Sequence, residues 1–368
     1  MTGRHTDFPR QGWGEHLRYS LQMTGPGGWI TQVVQVNDLD VAKWQAFLDD
    51  CYALGLRPVL RLATKLDALG QWIPPEQGPG RSYGDVARQW SVFFAALRLP
   101  APLWVIIGNE PNSGLEWGGR VNPSQYAHYF VTVAQHLRRL DHPLQLAPAP
   151  LDLYAPHSND LPFPGLTITM MDAGSFWDAM FRATPNWMDY ADFWASHSYP
   201  DNTFSAPPWQ QVYRVDRLNG AETLPRYDPP AGIYNRGVNG YQWERWYMQT
   251  RYHISLPPIL ISEFGYRHAF STTPESRTQV GDDHSMTTLS AYLEMAIWGN
   301  NGRYPDYPNA GWLPLVQDSS LIGVVYFGLA GHPRSWGHSN LLRVDELGAI
   351  LGTYPHYDLL VRRRHEGN

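Results

Sequence analysis

The sequence predicts a single-domain α/β protein folded as a (β/α)8 TIM barrel, with one enlarged loop after the sixth strand. Three observations predict it. From residue 29 onward, short runs rich in Val, Ile and Leu alternate with longer amphipathic stretches, the pattern of βα units around a parallel sheet. Eight candidate strands can be counted, the number that closes such a barrel. Two of the apolar runs also end abruptly on polar residues, where a strand leaves the core for the C-terminal face on which barrel enzymes build their sites.

Taken in order, a short strand is expected near His16–Leu21, then one at Trp29–Val36 leading to a helix over Asp40–Leu54. A strand at Arg57–Leu62 leads to a helix over Tyr83–Leu97, and Leu103–Ile107 to a helix over Pro123–Leu140. Leu144–Ala147 precedes a helix over Ser175–Met188, and Phe193–His197 one over Gln242–Tyr252. Ile259–Ser262 is followed by a helix over Met286–Trp298, and Gly323–Phe327 is the last buried strand. Asn122-Pro123 and Asn239-Gly240 precede helical stretches and Gly55 follows one, as capping and termination chemistry requires. Residues 1–13 read as an extension. Pro200–Asn239 is too long for a plain connection, and its Pro, Gly, Trp and Tyr content suits a cleft wall over the C-terminal face.

Composition narrows the function. With 28 Lys plus Arg against 34 Asp plus Glu, the net charge of −6 supplies no nucleic-acid groove. The one basic run, Arg362-Arg363-Arg364, reads as a solvated tail. No stretch approaches the roughly 18 consecutive apolar residues of a membrane span, and the polar start Met1-Thr2-Gly3-Arg4-His5 lacks the apolar core of a signal peptide. A soluble chain is expected, with its compartment and oligomeric state left open, and secretion possible after loss of a leader. The sole cysteine, Cys51, excludes an intrachain disulfide and is expected to pack within a helix. The 16 Trp, 21 Tyr and 13 Phe exceed ordinary core needs, so some should line a surface or cleft.

The sharpest motif is Trp104-Val105-Ile106-Ile107-Gly108-Asn109-Glu110-Pro111-Asn112, an apolar strand running into an amide and a carboxylate. The second, Ile259-Leu260-Ile261-Ser262-Glu263-Phe264-Gly265, ends on a carboxylate in the same way 153 residues after Glu110. These are the fourth and seventh strands of the count, so Glu110 and Glu263 should face each other across the barrel mouth. A pair of carboxylates flanking a pocket is what hydrolysis of a glycosidic bond requires.

On these motifs the chain resembles the retaining glycoside hydrolases of clan A, (β/α)8 barrels that include cellulases, mannanases, β-galactosidases and β-xylosidases. The clan's hallmarks, an Asn-Glu pair ending the fourth strand and a Glu ending the seventh, match Asn109-Glu110 and Glu263. The resemblance covers residues 14 to 350 and assigns no single family. It implies that Glu110 is the general acid/base, that Glu263 is the nucleophile and that Asn109 contacts the sugar 2-hydroxyl. It also makes His197 and Tyr199, alternate residues after the sixth strand, candidates for supporting the nucleophile and touching substrate. Arg61, a charge in an apolar strand, needs a buried partner, and the ionised nucleophile would serve. Trp336, beyond the eighth strand with His332, is where the clan places a Trp under the sugar. Trp117, Trp209, Tyr234 and Trp243 are in or beside mouth loops, where sugar contact and ordinary packing both fit, and Trp117 is taken as a contact candidate. Glu116 follows no strand and is not chosen as a catalyst.

Other chemistries lack their motifs. Gly25-Pro26-Gly27-Gly28 has neither the Lys nor the following helix of a phosphate loop, and no Gly-x-Ser-x-Gly elbow is present. No His-Glu-x-x-His spacing occurs, and Asp282-Asp283-His284 reads as the acidic start of a helix, so no metal or other cofactor is expected. The expectation is therefore a retaining hydrolase of β-glycosidic bonds in an oligo- or polysaccharide. The alternatives are a non-catalytic carbohydrate-binding barrel and a transglycosylase on the same site.

Overall fold

A computed structural model describes residues 13–67, 71–158, 167–218, 228–268 and 285–366. Fifteen principal elements follow one another as α1 (Gly14–Thr24), β1 (Trp29–Gln35), α2 (Val41–Ala53), β2 (Arg57–Ala63), α3 (Gly84–Ala95), β3 (Leu103–Ile107), α4 (Pro123–Leu137) and β4 (Leu144–Pro148). They continue with α5 (Ala173–Ala183), β5 (Trp194–His197), α6 (Tyr241–Tyr252), β6 (Ile259–Phe264), α7 (Met286–Trp298), β7 (Leu321–Tyr326) and α8 (Pro355–Glu366). The strands form two parallel sheets, β1-β2-β3-β4 and β5-β6-β7. At one seam Asp192 N–H donates to Leu146 O at 2.7 Å, and at the other Trp29 Nε1 donates to Ile322 O at 3.0 Å. Seven strands therefore make up these sheets among the described residues, against the eight expected.

The difference lies at the start of the chain. The expected strand at His16–Leu21 is helix α1, whose buried residues His16, Leu17 and Ser20 follow helical and not alternating spacing. Ser20 Oγ donates to His16 O and Thr24 Oγ1 to Ser20 O, both four residues back, while Trp13 packs on Trp44 and Phe47 of α2. Alternating Leu17, Tyr19 and Leu21 resembles a strand only until the burial is known. Glu110 thus follows the third strand and Glu263 ends the sixth. The long loop follows the fifth, and residues 219–227 of it fall outside the described residues, as do 1–12 and Asp282-Asp283-His284.

Elsewhere local chemistry sets the boundaries. Asp40 caps α2 by accepting from the N–H groups of Ala42 and Lys43. Asn122 accepts from Gln125 N–H with Pro123 in the first turn of α4. Asn239 does not cap α6; its side chain links Gln211 to the 313 carbonyl and N–H instead. Cys51 is buried in α2. The basic run is no solvated tail: it belongs to α8, where Arg363 pairs with buried Glu294 of α7 at 3.0 Å and Arg364 donates to the Leu21 and Gln22 carbonyls of α1.

Alternation along the strands sorts side chains between two cores. Leu60, Leu62, Val105, Ile107 and Ile261 face the helices, and Val59, Ile106, Ala147, Phe193, Ala195, Leu260 and Val325 fill the space enclosed by the strands. This inner layer is the floor beneath the polar residues at the strand ends. Ile106 is fully buried in it, so Ile106→Ala is expected to cost about 2–5 kcal/mol in denaturant unfolding.

Candidate active site

Inward-facing positions above that floor carry the polar residues. On β2, Val59 points inward, so two residues later Arg61 does too. On β5 the same parity runs through Phe193, Ala195, His197 and Tyr199. On β6 simple alternation from Leu260 would turn Glu263 outward, but the ladder register shifts between Ile261 and Phe264. This irregularity turns Glu263 toward the interior while Phe264 packs outward in the larger core.

Glu110 is positioned by a turn. Gly108, at φ 99°, occupies a backbone region closed to most side chains, and a Cβ there would lie 3.2 Å from the Tyr126 ring. The Tyr126 hydroxyl donates to Ile107 O at 2.9 Å and accepts from Ala149 N–H, tying the ends of β3 and β4 from behind. Glu110 itself has φ 34°, a strained value for a residue with a side chain. Its N–H donates to Pro150 O at 3.0 Å and its carbonyl accepts from Ser113 N–H at 2.9 Å. Asn112, wholly buried, locks the turn by donating to the Asp152 and Met171 carbonyls and accepting from Asp152 N–H.

The side chains converge on one cavity of about 370 Å³, whose walls include Arg61, Asn109, Glu110, Tyr199, Glu263 and Trp336. Arg61 Nη1 pairs with Glu263 Oε1 and donates to Asn109 Oδ1 at 2.7 Å. Tyr199 Oη donates to Glu263 Oε2 at 2.8 Å. His197 donates from Nδ1 to Glu110 Oε1 at 2.6 Å and stands 3.7 Å from Glu263 Oε2. The closest oxygens of the two carboxylates and His197 Nδ1 all lie within 4.8 Å of one another. Glu263 is the more enclosed of the pair, its side chain 9% exposed against 24% for Glu110.

Burial pushes the Glu263 carboxyl up, but the His197 and Arg61 charges and the hydrogen bonds from Tyr199 and Arg61 outweigh it and hold the group below the usual carboxylate range. Burial also works against a charged His197, yet the facing Glu263 and Glu110 carboxylates and the bond to Glu110 raise its pKa. Two further carboxyls flank Glu110. Asp152 is pushed up to about 7, first by burial and then by the Glu110 charge, and Glu116 to about 8 for the same two reasons in the same order. Glu110, His197 and Glu263 are the set with metal-ligand spacing among the described residues. Around that set the Arg61 guanidinium and the Tyr199 hydroxyl each already bond one Glu263 oxygen.

The structure thus brings Arg61, Asn109, Glu110, His197, Tyr199, Glu263 and Trp336 together. It places Trp117 elsewhere: 3% exposed, edge-on to Tyr126, with its indole N–H donating to Gln125. Trp243 likewise stacks on Trp177 in the core, and Trp209 packs against Tyr292 and Tyr307. The cavity wall instead holds Trp72, Phe204 and Phe327. Trp72 comes from the loop after β2, a segment with no strand or motif to mark it. Phe204 comes from the long loop and lies 4.2 Å, centroid to centroid, from Tyr199. Asn112 was marked only by its place two residues after Glu110.

Comparison with solved structures finds glycosidases of similar fold. A β-glucosidase from Exiguobacterium marinum superposes with a TM-score of 0.52 at 12% identity, covering 97% of this chain and 86% of that one. The family 5 xyloglucanase from Paenibacillus pabuli gives 0.50 at 11% identity, with 96% and 90% covered. A GH2 β-galacturonidase from Eisenbergiella tayi gives 0.51 at 11% identity, and there the chain covers 98% of itself but about half, 48%, of the other protein. At these identities the likeness is one of fold: an α/β architecture of parallel strands whose neighbours are glycosidase TIM barrels. No protein-family model matches the chain. No curated protein matches it in sequence.

Two predictions test this geometry. Replacing Arg61 by Met removes a cation that lowers the Glu263 pKa. Glu263 then takes up its proton at a higher pH as pH falls, and its titration, followed by carboxyl NMR, should move up by about 1–3 pH units. The Glu110 turn gives a second test, because Glu110→Gly and Glu110→Ala both delete the carboxyl but only glycine relieves φ 34°. The glycine variant should be the more stable by about 1 kcal/mol in chemical denaturation.

Proposed function

We propose that this protein hydrolyses a β-glycosidic bond of an oligo- or polysaccharide with retention of anomeric configuration. The observation that carries the reading is the facing pair Glu110 and Glu263, with nearest oxygens within 4.8 Å across one cavity. Retaining glycosidases hold their carboxyl groups about 5–5.5 Å apart, whereas inverting enzymes leave about 6.5–9.5 Å for a water. The same pair suits neither a phosphate site nor a serine nucleophile.

In this reading Glu263 attacks the anomeric carbon. Arg61 and Tyr199 fix one oxygen each and, with the His197 charge, keep the group ionised, so the nucleophile is aimed and charged before substrate arrives. Glu110 gives its proton to the leaving oxygen as the glycosidic bond breaks. His197 occupies Glu110 Oε1, which leaves Oε2 for the substrate, and its hydrogen bond stabilises the carboxylate that proton donation creates. The first step neutralises Glu263 as a glycosyl ester. Glu110, now ionised, then takes a proton from water, the hydroxide attacks the anomeric carbon, and Glu263 departs as a carboxylate. Asn109, held by Arg61, bonds the sugar 2-hydroxyl in this reading, and the partly exposed faces of Trp336 and Trp72 offer apolar surface to sugar C–H groups.

Intact-mass analysis after incubation with a panel of 2-deoxy-2-fluoro β-glycosides tests the proposal. A glycosyl adduct should accumulate on the wild type, map to Glu263 and be absent from Glu263→Gln. Failure of every sugar to form an adduct, or an adduct on another residue, would defeat the assignment.

A further inference from the structure

Glu116 is the cavity carboxyl for which the mechanism above has no use. It ends a short 3-10 turn, Gly114–Glu116, held on several sides: Gly114 N–H donates to Thr169 O at 2.9 Å, Gly119 N–H to Gly114 O at 2.7 Å, and Trp72 N–H to Leu115 O at 3.0 Å. A Cβ on Gly114 would lie 2.6 Å from Gly119 O and 2.8 Å from Thr169 O, so the turn is packed against its neighbours. The half-buried Glu116 side chain forms part of the wall of the cavity that holds Glu110 and Glu263, beside Asn109 and Trp72. It also borders a narrow recess beneath, bounded by Arg61, Thr64, Trp117 and Tyr129.

Its electrostatic setting differs from that of the catalytic pair. Arg61, the nearby cation, is committed to Glu263 and Asn109. The groups acting on Glu116 are Glu110, Arg61, Asn109 and Glu263. Burial and then the Glu110 charge push its carboxyl up to about 8, against the Arg61 charge and a hydrogen bond from Asn109, so near neutral pH the acid form offers a hydroxyl donor to the cavity beside that bond. A polar group fixed in a cavity wall discriminates strongly between a ligand that completes its hydrogen bonds and one that leaves it dry and unpaired.

We propose that Glu116 is a substrate-binding residue that reads one sugar hydroxyl, beside the hydroxyl contacted by Asn109, and so sets which sugar configuration the cavity accepts. The sugar as ligand rests on the glycosidase reading; the role of Glu116 does not require turnover. It makes Glu116 a specificity residue and leaves proton transfer to Glu110.

The test is equilibrium binding, read by ligand-observed NMR at pH 6 without any chemical step. The probes are the methyl β-glycosides of glucose, galactose, mannose and xylose and the 2-, 3-, 4- and 6-deoxy derivatives of the best binder. The proteins are wild type, Glu116→Gln and Glu116→Ala, each checked for an unchanged melting profile. One deoxy position should weaken wild-type binding by about tenfold or more, and the same ligand should bind Glu116→Ala with no additional loss. Glu116→Gln, which keeps a donor and an acceptor, should stay within a few-fold of wild type. Should the alanine variant fail to fold, affinity against pH takes its place: wild-type affinity should fall as Glu116 loses its proton near pH 8, and Glu116→Gln should show no such fall. Equal losses for every deoxy sugar in Glu116→Ala, no loss in any, the same pH profile in wild type and Glu116→Gln, or no sugar binding by the wild type would each overturn the inference. Selective coupling at Glu116 without an adduct at Glu263 would instead sink the hydrolase reading and leave this one standing.

Discussion

A buried carboxylate stays ionised only where charges and hydrogen bonds outweigh its burial, and at Glu263 His197, Arg61 and Tyr199 meet that constraint together. Burial alone would favour the neutral acid. The His197 charge and then Arg61 reverse this, and Arg61, rising from the inward face of β2 with its side chain 10% exposed, adds a direct ion pair. The same guanidinium also orients Asn109, so one residue holds both Glu263 and the neighbouring amide. Losing one partner of such a buried pair typically costs about 3–5 kcal/mol, since the other is left uncompensated. The site and the stability of the strand ends that carry it are therefore coupled through this contact.

The backbone departs from regular geometry at the two carboxylates. A strand end at Glu110 is forced into positive φ, and a register shift at Ser262 turns Glu263 inward. Both departures are held by groups behind the site: the Tyr126 hydroxyl between the β3 and β4 ends, and the Asn112 amide against two carbonyls. Strain of this sort persists only where surrounding contacts over-determine it. The fully packed rings of Tyr126, Phe130 and Phe176 behind the turn supply such contacts.

Much of this was legible in the sequence because barrels write their in-out pattern plainly. Apolar runs ending on Asn109-Glu110 and on Glu263 mark strand ends, and the lone charge Arg61 in such a run demands a partner, which the structure supplies in Glu263. What escaped had no period to reveal it. His16–Leu21 alternates like a strand, yet its neighbours Trp44 and Phe47 of α2 and the i−4 hydroxyl bonds decide for a helix. Trp117 and Trp72 both lie in loops, and only tertiary packing sends the first into the core and the second to the cavity. Glu116 follows no strand; a bound 3-10 turn, invisible as a pattern, carries it to the wall.

The strand count and the site also separate cleanly. With α1 in place of a first strand, Glu110 and Glu263 follow and end the third and sixth strands of the described sheets, where the sequence pattern places them on the fourth and seventh. Their separation of three strands is unchanged, and it is the separation that decides whether two strand-end side chains can meet over a shared floor. An element lost upstream of both motifs shifts their ordinal positions together and leaves their mutual geometry alone. A change between them would not be so neutral, because β4 and β5 set the arc that carries Glu263 back toward Glu110. The seam there rests on Asp192, whose N–H reaches Leu146 O while its carboxylate accepts from Leu146 N–H at 2.8 Å and pairs with Arg138. With the Phe193 N–H bond to Leu146 O and the packing of Ala147 against Phe193 and Ala195, this aspartate joins the two sheets where, among the described residues, no ladder does.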